Sequence, residues 1–160
     1  MHKRYVDNNL RAATEICEAK GCNFTQKRQR VLKTLLEAER PLSAYEITDN
    51  YNAVTEPTIS AVSVYRILEF LESIKLAYRL RSASKYIACK NITKYQGSDM
   101  SFFLICRNCQ CVNEIEVSSK IVTSLAELIN KSGFFSSSSQ VEINSLCADC
   151  KATHYDPLKE

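Results

Sequence analysis

An α+β fold in two parts is what this chain predicts: an N-terminal winged helix-turn-helix, then a small α/β unit that two cysteine pairs hold together. Three observations carry the prediction. Apolar residues recur at helical spacing from about residue 8 to residue 73. Two short alternating runs rich in β-favouring residues, LAYRL and SKYIAC, come next. Cys106-x2-Cys109 is then answered, 37 residues later, by Cys147-x2-Cys150. The expected domains are 1–84 and 85–160.

The helices follow in order. Leu10, Ala13, Ile16 and Cys17 share a register over residues 8–20, with Gly21 as the stop. Thr25 caps a helix over 26–38 whose stripe is Val31, Leu32, Leu35 and Leu36. Pro41 marks a loop and Ser43 caps a helix to about Asn52. Pro57 is placed in the first turn of a helix reaching about Ser73. Helices followed by a hairpin give the winged helix-turn-helix order. In the second half, MSFFLIC and CVNEIEV read as strands, SSKIVTSLAELINKSG as a helix closed by Gly133, and QVEINSLC as a third strand.

Composition narrows the function. At 160 residues, 45% hydrophobic and 24% charged, the chain has an ordinary globular balance. It has no apolar run of about 18 residues that would span a membrane. The opening MHKRYVDNNL lacks the apolar core of a signal peptide, so a cytoplasmic location is expected. There the eight cysteines read as thiols and metal ligands rather than disulfides. Net charge is +3, unevenly spread: residues 1–85 carry 14 Lys/Arg against 10 Asp/Glu, and residues 86–160 carry 7 against 8. The densest clump, TQKRQRVLK, presents Lys27, Arg28, Arg30 and Lys33. A solvated helix face and a phosphate-binding face both fit it.

On a helical wheel of residues 57–74, Ile59, Val64, Ile67, Leu68, Phe70, Leu71 and Ile74 fall on one half. Thr58, Val62 and Tyr65 face the other way, with Arg66 at the margin. The acids Glu69 and Glu72 come only later, so the first turns suit a DNA major groove. The alternative is structural: Tyr65 packing on the wing, and Arg66 pairing with Glu69 or Glu72. For the cysteines, four thiolates in two knuckles suit a closed, redox-silent zinc site. A thioredoxin-like redox pair needs only one CxxC at a strand–helix start, and a zinc deaminase needs an HxE that is absent. Cys89, Cys17 and Cys22 read as packing residues, with a ligand role the alternative for Cys89. Cys111 is either a packing residue or a substitute ligand. With only two histidines and three glycines, no catalytic triad or nucleotide loop stands out, and no enzyme is expected.

FTQKRQRVL, RPLSAYEI, PTISAVSVYRILEFLE, YRLRSASKYIAC, FFLICRNC and LCADC, in that order, resemble the ferric uptake regulator family, most closely its zinc uptake regulator branch. The resemblance implies a homodimeric repressor of operator DNA, with the second domain serving dimerisation. It implies that Cys106, Cys109, Cys147 and Cys150 hold one structural zinc per chain, and that Tyr65 and Arg66 contact DNA. Lys27, Arg28, Arg30 and Thr58 complete the expected DNA contacts. A second, regulatory zinc is implied at the hinge, where the corresponding residues are Tyr78, Cys89, Asp99 and Glu114. Both histidines usual at such sites are replaced, by Tyr78 and Asp99. Cys89, Asp99 and Glu114 therefore form the candidate regulatory set, and oxygen ligands hold zinc less tightly than imidazole. A metal-independent DNA-binding regulator and a zinc-stapled protein-interaction module are the competing expectations.

Overall fold

The computed structural model describes residues 2–38, 40–90, 92 and 100–154. The chain divides into two compact units, Met1–Gly97 and Ser98–Glu160. That division falls later than the expected boundary after residue 84. The strand Lys85–Ala88 pairs with Ala77–Leu80, so a cut at 84 would split a hydrogen-bonded hairpin.

The first unit holds α1 (His2–Ala19), α2 (Gln26–Glu37), α3 (Ala44–Val54), α4 (Ala61–Ser73), β1 (Ala77–Leu80) and β2 (Lys85–Ala88). α1 starts about two turns earlier than the periodicity indicated. Only Val6 and Asn9 of its early residues are buried, too few to reveal the face from sequence. Thr25 and Ser43 cap α2 and α3 as expected. At α3 the cap is a complete capping box: Ser43 Oγ accepts from Glu46 N at 3.1 Å, and Glu46 Oε2 accepts from Ser43 N at 2.8 Å. Arg40 adds an ion pair to Glu46 at 2.8 Å.

Pro57 does not begin α4. Ser60 is the N-cap, accepting from Ser63 N at 3.2 Å, and the Glu56–Pro57 peptide is cis. The intervening turn is held by a residue the helical pattern does not mark. Asn52 Nδ2 donates to the Ile59 carbonyl at 3.0 Å, while the Ile59 N–H donates to Asn52 Oδ1 at 2.8 Å. Ile59 is thereby seated in the core beside Val64, Leu68 and Leu71, which are fully buried on the inner face of α4. Leu42 forms a bridge with Tyr86 through bonds of 3.0 and 2.7 Å, which ties the hairpin to the start of α3.

The second unit is a three-stranded sheet in the order β4-β3-β5, with β3 at Ser101–Cys106, β4 at Val112–Ile115 and β5 at Gln140–Ser145. β3 runs antiparallel to β4 and parallel to β5, with α5 (Ser119–Lys131) in the crossover. This is the expected strand–strand–helix–strand order. Phe102, Phe103 and Ile105 of β3 are buried. α5 keeps none of its residues buried, although Ile121, Val122, Leu125, Leu128 and Ile129 form an apolar stripe. A short α6 (Ala148–His154), not anticipated from the sequence, follows the last cysteine pair's first member.

Candidate metal centre and nucleic-acid interface

The parallel pairing of β3 and β5 explains why the two cysteine pairs meet. Cys106 and Ser145 are register partners at the ends of these strands, so both pairs leave the sheet at the same edge. The first pair sits in a tight knuckle. Gln110 N donates to the Cys106 carbonyl and Cys106 N to the Cys111 carbonyl, each at 2.9 Å, with Gln110 at φ +63°. Arg107 N reaches the Ser145 carbonyl at 3.0 Å and fastens the knuckle to β5. The second pair straddles the start of α6, where Lys151 N donates to the Cys147 carbonyl at 2.9 Å.

The ligand atoms of Cys106, Cys109, Cys147 and Cys150 all lie within 4.8 Å of one another. The Cys109 and Cys147 sulfurs are 3.7 Å apart. Tetrahedral zinc with Zn–S near 2.3 Å requires sulfurs about 3.8 Å apart, so the donor set fits that ion. Hydrogen bonds favour the thiolate at two of the sulfurs, Cys106 and Cys147, whereas contact with the neighbouring cysteines raises Cys109 and Cys150. Backbone N–H groups of Cys147, and then of Cys109 and Asn108, draw the Cys106 thiol down to about 5. The Cys150 N–H similarly lowers Cys147. Asn108 Nδ2 donates to Cys150 Sγ at 3.2 Å, an outer contact that the spacing of the cysteines does not reveal. Cys106 and Cys150 are buried, whereas Cys109 is exposed, so the site has a closed and an open side. The exposed Cys111 sits on the open side with its thiol against Cys109 and Cys147.

The expected regulatory residues belong to both units. Cys89 follows β2 in the first unit, fully buried, its N–H donating to the Leu76 carbonyl at 2.9 Å. Tyr78 lies on β1 opposite Ile87. Glu114 lies on β4 opposite Phe103 in the second unit, with both carboxylate oxygens shielded from solvent. Asp99 is outside the described residues.

The candidate DNA-binding residues separate into groups. Lys27, Arg28 and Arg66 line one open hollow of about 320 Å³ between the start of α2 and the outer face of α4, together with Asn23, Thr25 and Ser63. Arg28 is not a free arm. Its guanidinium lies 3.5 Å over the Phe70 ring, and its Nη1 donates to the Asn23 carbonyl. Arg30 instead lines a different hollow with Lys33, Glu37 and Glu56. Thr58 is exposed in the turn before α4 rather than on the helix. Val62 and Tyr65 point outward from α4, 63% and 40% exposed. Tyr65 meets Tyr45 of α3 edge-on, with ring centroids 6.4 Å apart. Among the described residues Arg66 forms no salt bridge with Glu69 or Glu72. Tyr45, 65% exposed, was missed by the wheel of α4 because it belongs to the preceding helix. Its signal in sequence is an aromatic opposite the buried Ile47 and Tyr51.

Similarity to known proteins covers most of the chain. The ferric uptake regulator family model matches residues 19–144. The zinc uptake regulation protein of Escherichia coli (strain K12) is 28% identical over 150 residues, covering 94% of this chain and 85% of that protein. A zinc uptake regulator solved in complex with zinc and DNA is 27% identical with a TM-score of 0.81, covering 92% of this chain and 96% of that one. The holo form of XcZur is 29% identical with a TM-score of 0.76, covering 89% and 96%. The Helicobacter pylori ferric uptake regulator, 21% identical with a TM-score of 0.55, supports the fold. With four sulfurs gathered at one sheet edge and an outward-facing helix beside a cationic hollow, the chain belongs to the ferric uptake regulator family.

Proposed function

We propose that this chain is a zinc-responsive transcriptional repressor that binds operator DNA as a homodimer and controls genes of zinc uptake. It is a regulator and not an enzyme, and it works in the cytoplasm, where its DNA is. The observation that carries the reading is the outer face of α4, where Val62, Tyr65 and Arg66 stand exposed beside the hollow lined by Lys27. Apolar and aromatic groups there suit thymine methyls, and Arg66 suits a guanine edge. Lys27 supplies phosphate contact and register. No helix among the described residues is long and apolar enough to cross a membrane.

The four-cysteine site holds a structural zinc that ties β3 to α6. In a unit of about 60 residues such an ion supplies folding energy that a thin core does not. The uncovered stripe of α5, with Ile121 and Leu128 at 58% and 62% exposure, supports dimerisation through the second unit. A second, regulatory zinc rests on membership of the family and on the similarity to zinc uptake regulators.

Fluorescence anisotropy with a duplex from the chain's own promoter, against a scrambled duplex, tests the reading. Zinc-loaded protein is expected to prefer the promoter duplex by at least tenfold. Equal affinity for both duplexes would point instead to a zinc-stapled interaction module.

A further inference from the structure

Helix α1 ends in a turn that brings two cysteines together outside the metal centre. Gly21 adopts φ +67°, and the Cys22 N–H donates to the Cys17 carbonyl at 2.9 Å. This is the six-to-one closure of a Schellman turn, in which the first and sixth side chains touch. Bond lengths along that path keep the two Cα atoms within about 6.8 Å, inside the span a disulfide bridges. Cys17 is buried in the core at 1% exposure, and Cys22 lies at its margin, partly exposed. Hydrophobic side chains ordinarily make this contact, so packing alone is the simpler account.

We propose that Cys17 and Cys22 are an oxidisable dithiol that closes to an intrachain disulfide and weakens DNA binding. The reaction needs a two-electron oxidant of the peroxide class. Hydrogen peroxide oxidises the Cys22 thiol to a sulfenic acid, releasing one water. The Cys17 sulfur then attacks that sulfur. The S–S bond forms, and the sulfenic oxygen leaves as a second water with the Cys17 proton. Two thiols give up two electrons, and peroxide becomes two waters. Burial and contact with Cys22 push the Cys17 thiol up to about 12, so the marginal Cys22 is the sulfur that meets the oxidant.

The link to DNA runs through the next residue. Asn23 follows Cys22, and its carbonyl accepts from Arg28 Nη1. Arg28 lines the same hollow as Lys27 and Arg66. Shortening a sulfur contact to the roughly 2.05 Å of a disulfide draws Cys22 toward α1 and moves that carbonyl. Arg28 is then released from its place over Phe70, which disturbs the hollow. This coupling rests on the DNA-binding reading above, but formation of the disulfide does not.

The test uses the full zinc-loaded chain. After graded hydrogen peroxide and alkylation, peptide masses locate the disulfide, a chromophoric chelator follows zinc release, and anisotropy with the promoter duplex gives affinity. The expected result is a Cys17–Cys22 cross-link that forms before zinc is released, a Kd raised at least threefold, and reversal by dithiothreitol. Cys22→Ser should hold its affinity at the same dose. Zinc-site oxidation with no Cys17–Cys22 cross-link would overturn the dithiol. A cross-linked protein with unchanged Kd, or Cys22→Ser losing affinity in parallel, would overturn the coupling. If untreated protein shows no preference for the promoter duplex, the DNA-binding reading fails while the cross-link still reports on the dithiol.

Discussion

Asn52 joins the two helices of the helix-turn-helix, and removing its side chain gives the sharpest structural prediction. Its amide satisfies both the N–H and the C=O of Ile59, at 2.8 and 3.0 Å. Each such bond contributes about 0.5–1.5 kcal/mol net, so Asn52→Ala is expected to lose about 2 kcal/mol. For a unit of this size that corresponds to a drop of roughly 8–16 °C in Tm. Circular dichroism melting of the zinc-loaded chain reads the shift, and anisotropy reads the accompanying loss of promoter affinity as α4 loses its fixed start. Asn52→Asp is a useful companion. At neutral pH its carboxylate still accepts from the Ile59 N–H but repels the Ile59 carbonyl, and protonation restores a donor. Its deficit relative to the native chain should therefore shrink as pH falls toward 4. A loss under about 0.5 kcal/mol in Asn52→Ala, with unchanged DNA affinity, would refute the clamp.

Other expectations follow from the same contacts. Asn108→Ala removes the amide donor to Cys150 Sγ, and zinc affinity measured by chelator competition should fall about 10- to 100-fold. Lys27→Ala should weaken binding to promoter and scrambled DNA alike and reduce the salt slope by about one unit. Arg66→Ala should instead narrow the ratio between the two duplexes, and an unchanged ratio would remove its base-reading role. The Glu46 carboxyl is held down to about 2 by the Ser43 N–H and then by Arg40. Because its pKa is lower folded than unfolded, its contribution is present above the unfolded value of about 4.3 and is lost as pH falls toward 2. Glu46→Gln should flatten the acid limb of stability in that window.

Elements with strong period and a named cap were legible in the sequence. Val31, Leu32, Leu35 and Leu36 are all buried, and Thr25 caps α2 as its position before the stripe indicates. Ser43-x-x-Glu46 is a capping-box pattern, and the box is formed. The start of α4 was misplaced because a proline three residues before the cap also satisfies the rule for a first-turn proline. Side-chain to backbone bonds such as Asn52 to Ile59 depend on tertiary placement and leave no periodic mark. The cysteine pairs were legible because the CxxC spacing is itself the chemistry. Their meeting depends on a parallel β3–β5 register, which strand patterns do not specify. Cationic residues near in sequence were not near in purpose. Lys27 and Arg28 face α4, whereas Arg30 turns toward Glu37 and Glu56.

Zinc content per chain, measured together with promoter affinity through a titration with a mild chelator, tests the central claim most directly. The account predicts that specific DNA binding falls as a weaker zinc leaves, while the zinc of Cys106, Cys109, Cys147 and Cys150 stays bound. A chain that keeps one zinc and an unchanged promoter affinity throughout the titration would contradict zinc-responsive repression.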